Sequence, residues 1–134
     1  MTSEEAHSFA MKFIQFLETG EAPEGLFSDD VFCDFTFPRW RTQAQGIAGT
    51  VALRKGGHPG PGKVPRWRCS PTLSGFVIEF EERWTDKGKD WYSREMAWAE
   101  VAGGAITALS VYCTGDWDAE RREEHRRAVK LIRP

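Results

Sequence analysis

The sequence predicts an α+β fold: one curved antiparallel sheet wrapped around N-terminal helices, a cone-shaped half-barrel with an interior pocket. Residues 75–84, 90–101 and 105–113 are three strand-length runs separated by short turns, in which apolar and charged side chains alternate. Ahead of them, Ala6, Phe9, Ala10, Phe13, Ile14, Phe16 and Leu17 recur at helical spacing. Strands of this length curve strongly, and the early helices must cover the concave side. A curved sheet closed by helices encloses a pocket, a usual place for small-molecule sites.

The elements follow in order. Thr2 to Glu5 fits a capping box, and Gly20 stands where a helix C-terminus favours glycine. Pro23 to Phe27 reads as one more helical turn with proline at its first position. Val31 to Phe37 is a strand, which Pro38 ends and places near a sheet edge. Gly46 to Lys55 is a short helix closed by Gly56 and Gly57. Residues 57–63, rich in Gly and Pro, form an exposed or site-covering loop. Val64 to Ser70 is the strand that precedes the three above. Residues 118–132 form a charged helical tail that docks through Ala128, Val129, Leu131 and Ile132. All of residues 1–134 form one domain, large enough to bury a core without disulfides or metals.

Composition narrows the function. A net charge of −2 gives no reason to expect nucleic acid or an anionic membrane as partner. No apolar run approaches the roughly 20 residues of a spanning helix. The acidic N-terminus lacks the features of a signal peptide, so a cytoplasmic protein is expected. Six Trp and nine Phe suit a wide core or a lined cavity. Cys33, Cys69 and Cys113 are far apart and include no C-x-x-C pair, so they read as buried small hydrophobes; neither a metal nor a cofactor is expected.

Four polar residues are candidates for catalysis. Alternation groups Phe76, Ile78, Phe80, Glu82 and Trp84 on one face, and Tyr92, Arg94, Met96 and Trp98 on one face of the next strand. If these faces line the cone, Glu82 and Arg94 enter with them. A carboxylate among aromatics has a raised pKa, as a general acid or base near neutrality needs. Arg94 then holds Glu82 ionised or binds a ligand oxyanion; the plainer alternative is a solvated cross-strand pair. Asp34 points outward if Phe35 points inward, and a bulge beside Pro38 reverses that. His58 carries protons if its loop folds over the mouth. The repeated Pro-Arg-Trp-Arg at residues 38–41 and 65–68 reads as two structural tryptophans with carboxylate-paired arginines rather than a nucleic-acid platform. Asp116 or Asp118 is a helix N-cap, and Tyr112 points away from the cavity.

Residues 13–20, 26–31 and 103–112 resemble the nuclear-transport-factor-2-like superfamily, in its SnoaL-like and ketosteroid-isomerase-like branch, and the resemblance covers Glu4 to about Asp118. It implies the cone fold. Ungapped matching puts the three catalytic positions of the ketosteroid isomerases on Phe13, Phe35 and Met96, and the last carboxylate of the limonene epoxide hydrolases on Val111. The chain thus lacks the acid–base groups of either enzyme. The resemblance implies an enzyme acting on a hydrophobic, polyketide-like or cyclic molecule by acid–base chemistry without a cofactor: cyclisation, isomerisation or dehydration. In that reading Glu82 or Asp34 is the base, Arg94 the oxyanion holder and His58 a second proton carrier. Phe13, Phe35, Trp40, Phe80, Tyr92, Met96, Trp98 and Val111 shape the pocket. The alternatives are a non-catalytic hydrophobic-ligand-binding protein and a dimeric interaction module. A homodimer is compatible with all three and is expected.

Overall fold

The structure, a computed structural model, describes residues 1–59 and 61–134. Helix α1 (Ser3–Thr19) starts at the expected capping box: Glu5 N–H donates to Thr2 Oγ1 at 3.2 Å, and Thr2 N–H to Glu5 Oε2 at 2.7 Å. It ends at Gly20, whose φ of 76° suits glycine. Its buried stripe is Ala6, Ala10, Phe13, Ile14, Phe16 and Leu17. Strands β1 (Phe27–Phe37) and β2 (Trp40–Gln45) precede α2 (Gly46–Gly57); β3 (Gly62–Pro71), β4 (Gly75–Asp86), β5 (Lys89–Ala102), β6 (Ala105–Cys113) and the two-residue β7 (Trp117–Asp118) follow, and α3 (Ala119–Ala128) ends the regular structure.

The sheet runs β2-β1-β6-β5-β4-β3, with β7 extending the pairing of β5. Most neighbours are antiparallel, as expected, but β1 and β6 are parallel, so the sheet is mixed. Everything between them in the chain serves as the long crossover that a parallel pair requires. Helix α1 lies against β3 and β4, and α2 against β1 and β2, which closes one side of the curve.

Several elements depart from the sequence expectation. Pro38 does not mark an edge, because β1 lies between β2 and β6. It sits in a two-residue turn, and the edge is β2, a strand too polar to announce itself. Pro23 to Leu26 is a single tight turn closed by Leu26 N–H to Pro23 O at 3.1 Å, not a helix. The tail does not dock through the apolar residues expected, Val129 and Leu131 being about half exposed and Ile132 97% exposed; α3 is held instead by Arg122 over Tyr92 and His125 beside Trp117. Of the Gly/Pro loop, Gly60 lies outside the described residues.

The largest correction concerns β5. Its inward residues are Ser93, Glu95, Ala97 and Ala99, all buried, whereas Arg94, Met96 and Trp98 face out. Strand β4 behaves as expected, with Phe76, Ile78, Phe80, Glu82 and Trp84 buried. The two facts share a cause. Phe80 packs edge-on against Phe13 of α1, with ring centroids 5.8 Å apart, and the bulk of Ile78 and Phe76 leaves room only for Ala97 and Ala99 opposite them on β5. Gly75 shows how tight the β4–β5 pairing is, since a Cβ there would run into the backbone carbonyl of Ala99. Gly75→Ala should therefore lower the urea unfolding midpoint by an amount equivalent to about 1–3 kcal/mol; an unchanged midpoint would show that the strands separate freely there.

A buried charge cluster at the mouth of the cone

Three rungs of the sheet converge at one end of the cavity. The turn Lys87–Gly88 has φ of 50° and 75°, as a two-residue hairpin with right-handed strand twist requires. It pairs Asp86 with Lys89 and so, rung by rung, Glu82 with Ser93 and Phe80 with Glu95. On its other side Glu95 pairs with Cys113. Glu82, Glu95 and Cys113 therefore share the concave face. After Cys113 the chain leaves the sheet for three residues before β7 rejoins β5 at Trp91 and Tyr92. Gly115, at φ 88°, makes that excursion possible and turns Asp116 back towards the cavity.

His58, immediately after α2, completes the group. Its Nδ1 lies 2.6 Å from Glu82 Oε2, and its Nε2 lies 3.1 Å from Asp116 Oδ1 and 3.5 Å from Glu95 Oε1. The ring stacks on Trp84 at 3.9 Å and is 5% exposed. Arg54, one turn earlier on α2, donates from Nη2 to Glu82 Oε1 at 2.7 Å and to Leu17 O at 2.6 Å, and from Nη1 to His58 O at 3.2 Å. Ser93 Oγ donates to Glu95 Oε1 at 3.0 Å.

Burial alone would strip His58 of its charge, but hydrogen bonds with Asp116, Cys113 and Glu82 and the field of Glu95 outweigh it and push the pKa up to about 12. Burial likewise works against an ionised Glu82, yet His58 and Arg54 hold its pKa below the usual carboxylate range. Glu95 goes the other way. Its complete burial, together with the charge on Glu82, raises it to about 8, so near neutrality Glu82 is ionised and Glu95 carries a proton. Burial also pushes the Cys113 thiol up.

His58 forms a shared wall between two spaces. Inside is a chamber of about 30 Å³, room for about one water. Its lining includes Phe13, Phe35, Phe80 and Val111 of the expected pocket, together with Glu95, Arg54 and Thr50. Thr50 Oγ1 and Arg54 Nε are buried without a protein partner among the described residues. Outside is an open cleft of about 520 Å³, bordered by Phe35, Phe37, Leu53, His58, Cys113 and Asp116, with the Thr42 hydroxyl, unpartnered among the described residues, in its wall.

Of the expected site residues, Glu82 and His58 meet here. Arg94 does not; it is solvent-facing, 2.9 Å from Glu79 and 3.7 Å from Glu81. Asp34 points outward and is bound by Arg41 and Gln43. Met96 and Trp98 lie on the outer face, about half exposed. Trp40 is 69% exposed and lines neither space. Tyr92 is held beside α3, with Arg122 over its ring at 4.7 Å. The sequence reading missed Glu95, Arg54, Cys113 and Asp116 as partners. A two-residue turn at Lys87–Gly88 was the signal for Glu95, because counting back from it sets Glu95 opposite Phe80, on the same face as Glu82.

Folding favours the protonated form of Glu95, whose pKa rises from 4.5 to about 8. The stability this contributes is complete below pH 4.5 and is lost as pH rises through 8. Urea unfolding in chelator-containing buffer should show wild type losing stability relative to Glu95→Gln across that window and levelling above it. A difference that does not change with pH would mean Glu95 is solvated in the folded state.

No protein-family model matches the chain, and no curated protein matches it. Solved structures do. An NTF2-like protein from Anabaena variabilis superposes with a TM-score of 0.69 at 19% identity, over 84% of this chain and 89% of that one. A candidate polyketide cyclase from Xanthomonas campestris gives 0.63 at 13%, over 81% and 90%. A candidate isomerase from Bacillus subtilis gives 0.63 at 14%, over 83% and 87%. The shared property is the fold.

Proposed function

On this NTF2-like fold, we propose that the protein is a SnoaL-like small-molecule enzyme that performs acid–base chemistry on a cyclic or polyketide-like hydrophobic substrate. The reaction is a cyclisation, isomerisation or dehydration. The observation that carries this reading is the position of His58 in the wall between chamber and cleft, with Glu82 on Nδ1 and both Asp116 and Glu95 beside Nε2. The substrate's apolar body lies against Phe35, Phe37 and Leu53 in the cleft. Asp116, at the cleft's polar end, removes a proton from carbon. His58 donates a hydrogen bond from Nε2 to the oxygen that gains charge, and Glu82 and Arg54 fix the ring. Arg94 and Asp34 have no part in this scheme. Solved structures of this fold described as a candidate polyketide cyclase and a candidate isomerase are the reason for choosing this reaction class.

A simple ketone tests the chemistry without the natural substrate. The protein should accelerate exchange of the α-protons of 2-tetralone in D₂O, followed by NMR, and Asp116→Asn and His58→Gln should each slow that exchange by about 10²-fold. Saturable binding of the ketone with no accelerated exchange would replace this reading with that of a hydrophobic-ligand-binding protein.

The same reading takes the protein as a homodimer through the outer sheet face. Met96 and Tyr112 stand opposite each other there, Trp98 stands opposite Val77, and the Asp34–Arg41 and Glu79–Arg94 pairs flank this apolar strip. A patch edged by charges of both signs complements a rotated copy of itself. Sedimentation should give a dimer that Trp98→Glu converts to a monomer; a wild-type monomer at high concentration would overturn it.

A further inference from the structure

His58 Nε2 is surrounded by more lone pairs than one proton can serve. The Asp116 carboxyl lies at 3.1 Å, the Glu95 carboxyl at 3.5 Å, and the Cys113 thiol joins them, the donor atoms of His58, Glu95 and Cys113 all lying within 4.8 Å of one another. A single N–H donates well to only one of these. A cation between the imidazole, the Glu95 carboxyl and the Cys113 thiol would engage all three, with Asp116 on the side open to the cleft. Around a tetrahedral ion with bonds of roughly 2.0–2.3 Å, neighbouring donor atoms stand about 3.3–3.8 Å apart. The Asp116 and Glu95 distances fall close to that range.

The donor types narrow the ion. One imidazole nitrogen, one sulfur and one carboxylate oxygen, with a fourth position open, suit zinc and tetrahedral cobalt(II), whereas calcium and magnesium take oxygen-only sets. A second observation points the same way. The far nitrogen of the ring, Nδ1, is already held by Glu82, which Arg54 holds in turn. A carboxylate behind a ligating histidine is the usual means of fixing its orientation and raising its donor strength. The backbone prepares the set as well. The sheet register places Cys113 opposite Glu95, and the Gly115 turn brings Asp116 round to the same side while its N–H contacts Cys113 Sγ at 3.4 Å. Asp116 borders the open cleft, which gives an ion a route in and leaves one side of it accessible.

We infer that His58, Glu95 and Cys113 form a three-donor zinc-type site at the mouth of the cavity, with Asp116 beside its open position, and that an ion bound there inhibits by displacing the His58 Nε2 proton. The binding rests on donor geometry alone. The inhibition also rests on the acid–base reading proposed above.

The test uses the full-length, reduced protein after chelator treatment. Cobalt(II) titration should give tetrahedral visible bands and a thiolate-to-cobalt charge-transfer absorption, saturating at one ion per chain and abolished by zinc. Cys113→Ser should lose the charge-transfer absorption, and both Cys113→Ser and Glu95→Gln should weaken zinc binding by about tenfold or more. Cys69→Ser, a control on β3, should change neither. Absence of the charge-transfer band, or its persistence in Cys113→Ser, overturns the site. Zinc should also suppress 2-tetralone exchange. An intact cobalt spectrum with no exchange under any condition sinks the acid–base reading and leaves the site standing; exchange without the spectrum does the reverse.

Discussion

A carboxylate buried among aromatic rings sets the terms for this cavity. Glu82 belongs to the same inward row as Phe76, Ile78, Phe80 and Trp84, and an unpaired charge there would cost several kcal/mol. Two cations from one short segment meet it: Arg54 on the last turn of α2, and His58 just beyond. That requirement brings the end of α2 down onto β4 and positions the loop that follows. It also stacks His58 on Trp84. Once His58 is fixed, the remaining members of the site are those the sheet register happens to place around its other nitrogen.

The fold was legible because its signals are local. The capping box, the apolar stripe of α1 and the alternation in β4 each lie within a few turns or rungs of sequence. The site was half legible. Glu82 could be found because large aromatics declare which face of β4 turns inward. Strand β5 misled for the opposite reason: its buried residues are Ser93, Glu95, Ala97 and Ala99, none of them a large apolar one, while Met96 and Trp98 are outside. A reading that equates bulk with burial inverts such a strand, and with it Arg94 and Glu95 exchange places. Cys113 and Asp116 were hidden differently. Their proximity to His58 depends on sheet pairing and on one glycine turn, neither of which leaves a spacing pattern in the sequence.

The neighbours in structure share this scaffold at 13–19% identity, low enough for every side chain at the mouth to differ. Function on such a scaffold resides in the grafted groups. Here the positions matched to the ketosteroid isomerases' catalytic residues hold Phe13 and Phe35, which wall the chamber, and Met96, which faces solvent. The polar chemistry is concentrated instead at the end of α2 and on β4, β5 and the β6–β7 turn.

Helix α2 fully buries only Thr50 and packs Ile47, Val51 and Leu53 part-buried against the core, while its C-terminal end is held by Arg54 and the His58 that follows it. Hydrophobic attachment is insensitive to ionic conditions, whereas an attachment made of charges is not. The roof over this cavity is therefore hinged by packing at one end and latched by electrostatics at the other. Neutralising Glu82 removes the charge that both Arg54 and His58 hold, and so weakens this end of α2 while leaving its packed end untouched.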